Sequence, residues 1–308
     1  MTELALATLE TDLDGALELG GRALAWTETH GRALLASASF QSQALVLGRL
    51  QRAETLRNRS NAHFDVPVAR RRSTGTEAQL DGAVLYHALT LPRVDALFGD
   101  ASARTLLNRN LRAVLRGYAA VGVPFRYFGT EVLALLGHPV ALVGYDQSES
   151  GAVLIELLIG LENPSVVRPA LKREPPAALY PLLRQAPPPH EFLCKAVSGI
   201  VERLGARALD VSAELPAPGP ASELAPAVVE GSVTIPLGVV EATVSSGVRV
   251  SGDLLVGSAA LRRFEEGAAA TLESGQKLGS ELLSAFDGAP IDGARPPDLL
   301  QAVLLALT

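Results

Sequence analysis

Cysteine and lysine are scarce in this chain of 308 residues. The single cysteine, Cys194, excludes an internal disulfide framework and a metal site built from clustered cysteines. Lysine occurs three times among 27 basic residues, at Lys172, Lys195 and Lys277. Arginine, which supplies the other basic residues, stays protonated and cannot replace lysine as a nucleophile or base. A GC-rich genome is the simplest explanation of this bias, and any lysine-based mechanism has three candidates.

Long apolar runs are also missing, and we expect no secretory leader. The acidic start of the chain lacks the basic region and apolar core of a signal peptide. The longest apolar stretch, residues 132–145, is interrupted by G-H-P at 137–139 and falls short of the roughly 18–20 residues that span a bilayer. We therefore expect a cytoplasmic protein with no membrane association.

Positive charge is not in excess. The chain carries 27 basic and 33 acidic residues, a net charge of −6, whereas nucleic-acid-binding surfaces are usually basic. We therefore expect no nucleic-acid partner. The histidines show no spacing typical of metal ligands, and the G-x-S-x-G, Walker and G-x-G-x-x-G motifs are absent. No metal site is expected.

What is present is a globular pattern in two parts. Residues 216–220 read P-A-P-G-P, which is typical of a linker. Predicted strands precede the linker at 33–36, 44–48, 83–91, 131–136, 140–144 and 152–159, and follow it at 228–237, 238–245 and 247–256. The last three strands before the linker, joined by short turns, predict an antiparallel meander. We expect an α+β fold: a mixed, largely antiparallel sheet flanked by helices over residues 1–215, a linker at 216–227 and a small α+β accessory domain at 228–308.

Helical spacing of apolar residues predicts the helices. They lie at 12–25, 103–118, 190–204, 258–266, 278–286 and 296–307. Asp12 and Ser102 are the expected N-caps, and Gly205 follows the third helix in the position that favours glycine. Cys194 has apolar neighbours on that helix and is predicted to be a core thiol. His87, within an apolar strand, is predicted to be a buried histidine with satisfied hydrogen bonds.

The segment 70–77 is the strongest candidate site. Three arginines, Arg70 to Arg72, end a predicted strand, and a Ser-Thr-Gly-Thr turn follows them. Arginine side chains and the backbone N–H groups of such a turn suit a phosphate or carboxylate. The alternative is a solvated basic turn without a ligand.

Four sequence matches occur in a fixed order along the chain. Residues 44–51 read A-L-V-L-G-R-L-Q and fit a VxLGRxQ strand. An R-R-x-[ST]-G pattern with an apolar sequel then matches at Arg71, Arg72, Thr74, Gly75, Ala78 and Leu80, and its strand ends at Leu91 before Pro92. Residues 238–244 and 248–254 fit GxIE and SGDF strands. Together they resemble the lipoate–protein ligase and octanoyltransferase family of the biotin/lipoate ligase superfamily.

The resemblance implies a chemistry and a site. In that family ATP activates lipoate as lipoyl-AMP, and the acyl group moves to a lysine on a carrier domain. Positive charge is needed beside the carboxylate and the α-phosphate, and a lysine in a GRKxxG hairpin supplies it. By resemblance, ATP, an acyl-adenylate or lipoate is the implied ligand, although the sequence itself does not identify one. The ligand-binding positions carried over are Arg71, Arg72, Ser73, Thr74, Gly75, Thr76 and Gly137.

The sequence departs from the family where chemistry is needed. The matching hairpin reads G-H-P-V-A at 137–141, so His138 stands in the arginine position and Pro139 in the lysine position. Proline offers neither charge nor a hydrogen-bond donor. Glu77 adds negative charge near the expected phosphate, which is unfavourable unless an arginine neutralises it. No lysine occurs between residues 1 and 171.

Three functions remain open from the sequence. The first is a ligase-like protein without ordinary ligase activity, a scaffold or regulatory subunit that binds an acyl ligand, a lipoyl-type carrier domain or a sister ligase subunit. The second is an active acyltransferase or ligase that transfers a lipoyl, octanoyl or related acyl group to a carrier lysine, with His138 as a candidate catalytic residue. The third is an unrelated α+β protein.

Overall fold

A nine-stranded mixed sheet forms the larger part of the protein in the computed structural model. The structure describes residues 3–57, 59, 62–129, 131–167, 174–217, 229–245, 247–289 and 291–308. The strands of this sheet are β1 (Glu3–Glu10), β2 (Leu34–Leu47), β3 (Val68–Arg70), β4 (Ala78–Leu91), β5 (Arg126–Tyr127), β6 (Val132–Leu135), β7 (His138–Gln147), β8 (Val153–Gly160) and β9 (Arg207–Asp210). Their spatial order is β5-β6-β7-β8-β4-β2-β1-β9, with β3 beside the end of β2.

Most strand pairs are antiparallel. The predicted meander is confirmed, since β6, β7 and β8 pair in succession in antiparallel fashion. The parallel pairs are β1 with β2, β1 with β9 and β2 with β3. The two runs predicted at 33–36 and 44–48 belong to one 14-residue strand, β2. The hairpin turn before β7 is Leu136 and Gly137, both with positive φ, and not the 137–139 turn expected from the sequence.

Helices cover both faces of this sheet. They are α1 (Leu13–His30), α2 (Ala53–Leu56), α3 (Leu106–Ala120), α4 (Leu179–Leu183) and α5 (Pro189–Leu204), with short 3₁₀ helices at Ala103–Thr105 and Ser212–Glu214. The predicted cap of α1 is present, because Asp12 Oδ1 accepts a hydrogen bond from Gly15 N at 2.9 Å. Gly205 ends α5 in the left-handed conformation, as expected. α1 packs in one apolar core, and α3 and α5 pack in the other.

A smaller unit follows with a core of its own. Its elements are β10 (Gly231–Ile235), β11 (Gly238–Thr243), β12 (Arg249–Gly252), β13 (Leu255–Val256), α6 (Ser258–Glu273), β14 (Ile291–Asp292) and α7 (Pro296–Ala306). The helix expected at 278–286 is a 3₁₀ helix, Ser280–Phe286. Of the expected linker at 216–227, residues 218–227 lie outside the described residues. No helix in the described parts of the chain has the length and apolarity to cross a bilayer.

The two buried residues predicted from the sequence have different outcomes. His87 is fully buried, with Nδ1 2.8 Å from Ser37 Oγ and Nε2 2.7 Å from Tyr118 OH, as the prediction of a satisfied core histidine requires. The prediction of a core thiol was wrong, because Cys194 is exposed. The inward face of α5 passes through Leu193 and Ala196, which leaves Cys194 on the outward side.

Candidate functional site

Residues 71–77 form a loop that connects β3 to β4 and lies against the end of β7. We call it the 71–77 loop. The backbone N–H and the hydroxyl of Thr74 donate to the carbonyl of Tyr145 at 2.9 and 2.6 Å. A Cβ on Gly144 would overlap Ser73 Oγ and lie 2.8 Å from the carbonyl oxygen of Thr74. Only glycine at position 144 lets the loop come this close to the strand.

Arg71 organises its own loop from the inside. Its side chain is buried, and its Nη2 donates to the carbonyls of Thr74 and Thr76 at 3.1 and 3.0 Å. Ser73 and Glu77 are buried as well, and Arg72 is half-buried. The loop is therefore not the solvated basic turn that was one interpretation of the sequence.

Three buried carboxylates surround the Arg71 guanidinium. Glu156 on β8 accepts from the backbone N–H of Ser73 at 2.7 Å and also from the hydroxyl of Tyr86. Glu131 accepts from the backbone N–H of Thr76 at 3.0 Å. Glu77, within the loop, accepts from Gln51 Nε2 at 2.7 Å. The backbone donors that would face an anion are thus already bonded to carboxylates of this chain at Ser73 and Thr76.

Burial and the neighbouring carboxylates have opposite effects on the charge of Arg71. Burial lowers the pKa of Arg71, and the negative charges of Glu156, Glu131 and Glu77 raise it again. Burial, followed by the charge and the hydrogen bond of Glu156, raises the pKa of Tyr86 well above its ordinary value. Tyr86 therefore stays protonated and donates its hydrogen bond at neutral pH.

Four donor atoms in the loop are buried and have no hydrogen-bond partner among the described residues. They are Arg71 Nε and Nη1, Arg72 Nε and Ser73 Oγ. Such donors fit water or a small anion. Glu156, Glu131 and Glu77 nevertheless already place negative charge around Arg71, so an acyl-adenylate or ATP phosphate would bring further negative charge beside these carboxylates. The residues present do not fit these anionic ligands.

The smaller unit closes over the same loop. The hydroxyl of Thr74 lies 3.2 Å from the carbonyl oxygen of Val256, and the N–H of Val256 lies 3.1 Å from that hydroxyl. Gln51 Nε2 donates to Asp253 Oδ1 at 2.7 Å, as well as to Glu77. The loop is therefore held between the large sheet and β13.

The hairpin residues predicted for the site lie elsewhere. Gly137 precedes β7, and His138 and Pro139 begin it, whereas the 71–77 loop contacts Gly144 and Tyr145. At about 3.3 Å per residue, His138 and Gly144 are about 20 Å apart along the strand. His138 Nδ1 lies 2.9 Å from the carbonyl oxygen of Pro175. The structure thus brings together residues 71–76 of the predicted site and separates them from Gly137 and His138.

The lysines do not supply the missing charge in the described part of the chain. Lys195 is exposed on α5 and forms an ion pair with Glu191 at 2.6 Å. Lys277 is exposed in the smaller unit, and Lys172 lies outside the described residues. No group of three or more potential metal ligands occurs among the described histidine, cysteine, aspartate and glutamate residues.

Two carboxylates of the candidate site were missed by reasoning from the sequence. Glu156 and Glu131 become part of the site through pairing of β8 and through the turn before β6, and both are distant in sequence from the 71–77 loop. The available signal was Glu156 itself, a carboxylate in the apolar strand V-L-I-E-L-L-I. A buried carboxylate needs partners, and here they are Tyr86 and the loop backbone.

Comparison with known proteins identifies the fold. No family model and no curated protein matches the chain. Among solved structures, P. falciparum LipL1 in complex with lipoate has a TM-score of 0.60 and 11% identity over 99% of both chains. A lipoate-protein ligase A bound with ATP has a TM-score of 0.51 and 15% identity over 68% of this chain and 90% of its own.

A third similar structure comes from an archaeal lipoylation system of Thermoplasma acidophilum, a bipartite lipoate protein ligase and its E2 lipoyl domain. Its TM-score is 0.50, with 14% identity over 68% of this chain and 88% of that one. At these identities the likeness shows the fold. The predicted fold class is confirmed: the chain has the α+β fold of lipoate–protein ligases, with a mixed, largely antiparallel sheet flanked by helices.

Proposed function

We propose that this protein is a ligase-like subunit without ordinary lipoate–protein ligase activity, which binds a lipoyl-type carrier domain or a sister ligase subunit as a scaffold or regulator. The observation that carries the proposal is the cluster of Glu77, Glu131 and Glu156 around Arg71. Glu156 and Glu131 accept hydrogen bonds from the backbone N–H groups of Ser73 and Thr76, which an acyl-adenylate would otherwise need. A site of this charge disfavours both ATP and an acyl-phosphate anhydride.

The nature of the partner follows from the retained scaffold. Both the sheet and the smaller unit are preserved, as the overlap with LipL1 over the whole chain indicates. The Thermoplasma structure is described as a bipartite ligase with its lipoyl domain. A chain that keeps this scaffold but lacks a suitable anion site fits the role of a binding subunit better than that of an enzyme.

The active-enzyme alternative depends on His138 acting near the 71–77 loop. His138 lies about 20 Å from Gly144 along β7 at 3.3 Å per residue, and its Nδ1 contacts the carbonyl of Pro175. No observation in the described residues favours that alternative over the binding role.

An intact-mass assay on a lipoyl domain tests the proposal. The protein is incubated with ATP and either lipoate or octanoate, and an active lipoate–protein ligase serves as the positive control. We expect no mass gain on the acceptor lysine, together with measurable binding of the lipoyl domain or of a sister ligase subunit in titration calorimetry. A mass gain would show an active ligase, and a failure to bind either partner would overturn the scaffold role.

A further inference from the structure

A cavity of about 560 Å³ lies between the larger sheet and the smaller unit. The larger part contributes residues around the start of α3, Arg104 and Leu107, together with Tyr127 of β5. The smaller unit contributes Leu255 of β13 and Asp292 of β14. This volume is in the range of small-molecule sites, which measure roughly 300–1,000 Å³.

This cavity borders the 71–77 loop through Leu255, which lies beside Gly75, but no residue of the loop lines it. Tyr145 lines the cavity, while its neighbour Gly144 faces Ser73 and Arg71. Successive residues of a strand point to opposite faces of the sheet. The cavity therefore lies on the α3 face, and the Arg71 cluster lies on the other.

Two opposite charges line the cavity without meeting. Arg104 is exposed and forms no ion pair among the described residues, and the carboxylate of Asp292 accepts a hydrogen bond from the N–H of Gly293 at 2.8 Å. Asp292 is half-buried, and burial raises the pKa of its carboxyl group. A cationic partner would therefore stabilise its ionised form. A cavity wall with one free cation and one under-solvated carboxylate suits a ligand that carries both charges.

The rest of the lining fits the two ends of such a ligand. Arg104 stands next to the start of the 15-residue helix α3, where the partial positive charge of the helix also favours an anion. Tyr127 lines the cavity with Asp292, and burial, followed by the charges of Asp292 and Glu131, raises the pKa of its phenol. A protonated phenol and its aromatic ring both favour an ammonium group near the carboxylate. Leu107 and Leu255 supply apolar surface.

We propose that this cavity binds a small amino carboxylic acid with an apolar body, with its carboxylate at Arg104 and the start of α3, its ammonium group at Asp292 and Tyr127, and its apolar body against Leu107 and Leu255. Binding would engage both units of the protein, since Arg104 belongs to the larger part and Asp292 to the smaller. The site is independent of any ligase chemistry at the 71–77 loop.

Titration calorimetry on the full chain tests the site with defined probes. The zwitterions are L-leucine, L-phenylalanine, 6-aminohexanoate and 8-aminooctanoate, and the single-charge analogues are hexanoate, octanoate, hexylamine and octylamine. We expect at least one zwitterion to bind with a Kd of 1 mM or lower and at least tenfold more tightly than every single-charge analogue. Failure of all the zwitterions, or equal binding of an analogue, would overturn the proposal.

Charge-removing variants then assign the two ends. Asp292→Asn and Arg104→Gln should each weaken binding of the zwitterion about tenfold, and Asp292→Asn should also abolish its preference over the matching carboxylic acid. Arg112→Gln, on α3 but outside the cavity lining, should leave affinity unchanged. Circular dichroism establishes that each variant is folded. Unchanged affinity in folded Asp292→Asn and Arg104→Gln would place any binding elsewhere and refute the site.

Discussion

The carboxylate of Asp146, at the end of β7, accepts hydrogen bonds from the backbone N–H and the hydroxyl of Ser258, the first residue of α6, at 2.8 and 2.6 Å. Asp146 belongs to the larger part of the protein and Ser258 to the smaller unit. The bond to the N–H satisfies a donor that a helix leaves free in its first turn. Arg49 adds a salt bridge to the other oxygen of Asp146 at 2.7 Å.

Removal of this carboxylate should weaken the attachment of the smaller unit. Asp146 is buried, so Asp146→Ala removes the carboxylate partner of Arg49 and the acceptor of the Ser258 N–H. We expect a loss of about 2–4 kcal/mol in the free energy of unfolding. Urea denaturation monitored by circular dichroism measures the loss.

Glu149→Ala is the matched control because it removes a salt bridge across the same interface. The pair that it breaks, with Arg262, is exposed, with side-chain exposures of 64% and 50%, and exposed pairs contribute under about 1 kcal/mol. Equal losses in the two variants would show that burial of Asp146 does not matter to the attachment.

Local sequence signals accounted for much of the fold. The meander β6–β8, the cap at Asp12 and the end of α5 at Gly205 all depend on short-range patterns, and each was predicted. β1 and β9 were missed, because each contributes through parallel pairing with a strand that is distant in sequence. Leu209 in β9 is exposed, so the strand carries no apolar pattern that could have indicated it.

The site at the 71–77 loop could be predicted from the sequence only in part. The arginines and the glycine-containing turn predicted an anion site at this loop, and anion binding there stays a prediction. What the pattern could not show is that β8 and the turn before β6 bring Glu156 and Glu131 to the same loop. The spacing of charges along the sequence cannot predict this contact, because Glu156 and the Ser73 N–H that donates to it are 83 residues apart.

A methyl group at position 144 should push the 71–77 loop away from β7. Gly144→Ala would place a Cβ 2.8 Å from Thr74 O and 3.0 Å from Arg71 Cζ, and such overpacking costs about 1–3 kcal/mol. Hydrogen exchange at the Thr74 amide should accelerate as well, since its bond to Tyr145 O lengthens. Gly99→Ala, which meets no atom within 4 Å, should stay within about 0.5 kcal/mol. Unchanged stability and exchange in Gly144→Ala would contradict the close approach.

His87 should make the protein acid-sensitive in a defined pH range. Burial lowers its pKa to about 4, whereas the unfolded chain has the ordinary value of about 6.5. Between these values the unfolded state binds more protons than the folded state, so the free energy of unfolding falls as the pH is lowered from 6.5 to 4. Over the whole range between the two pKa values, the free energy of unfolding falls by about 3 kcal/mol. Urea denaturation at half-unit steps from pH 7 to pH 4.5 should show this decline.

His87→Gln should flatten the decline even where the variant is less stable at every pH, and His63→Gln, at an exposed position, should keep the wild-type dependence. A decline of the same steepness in His87→Gln would assign the acid sensitivity to another group.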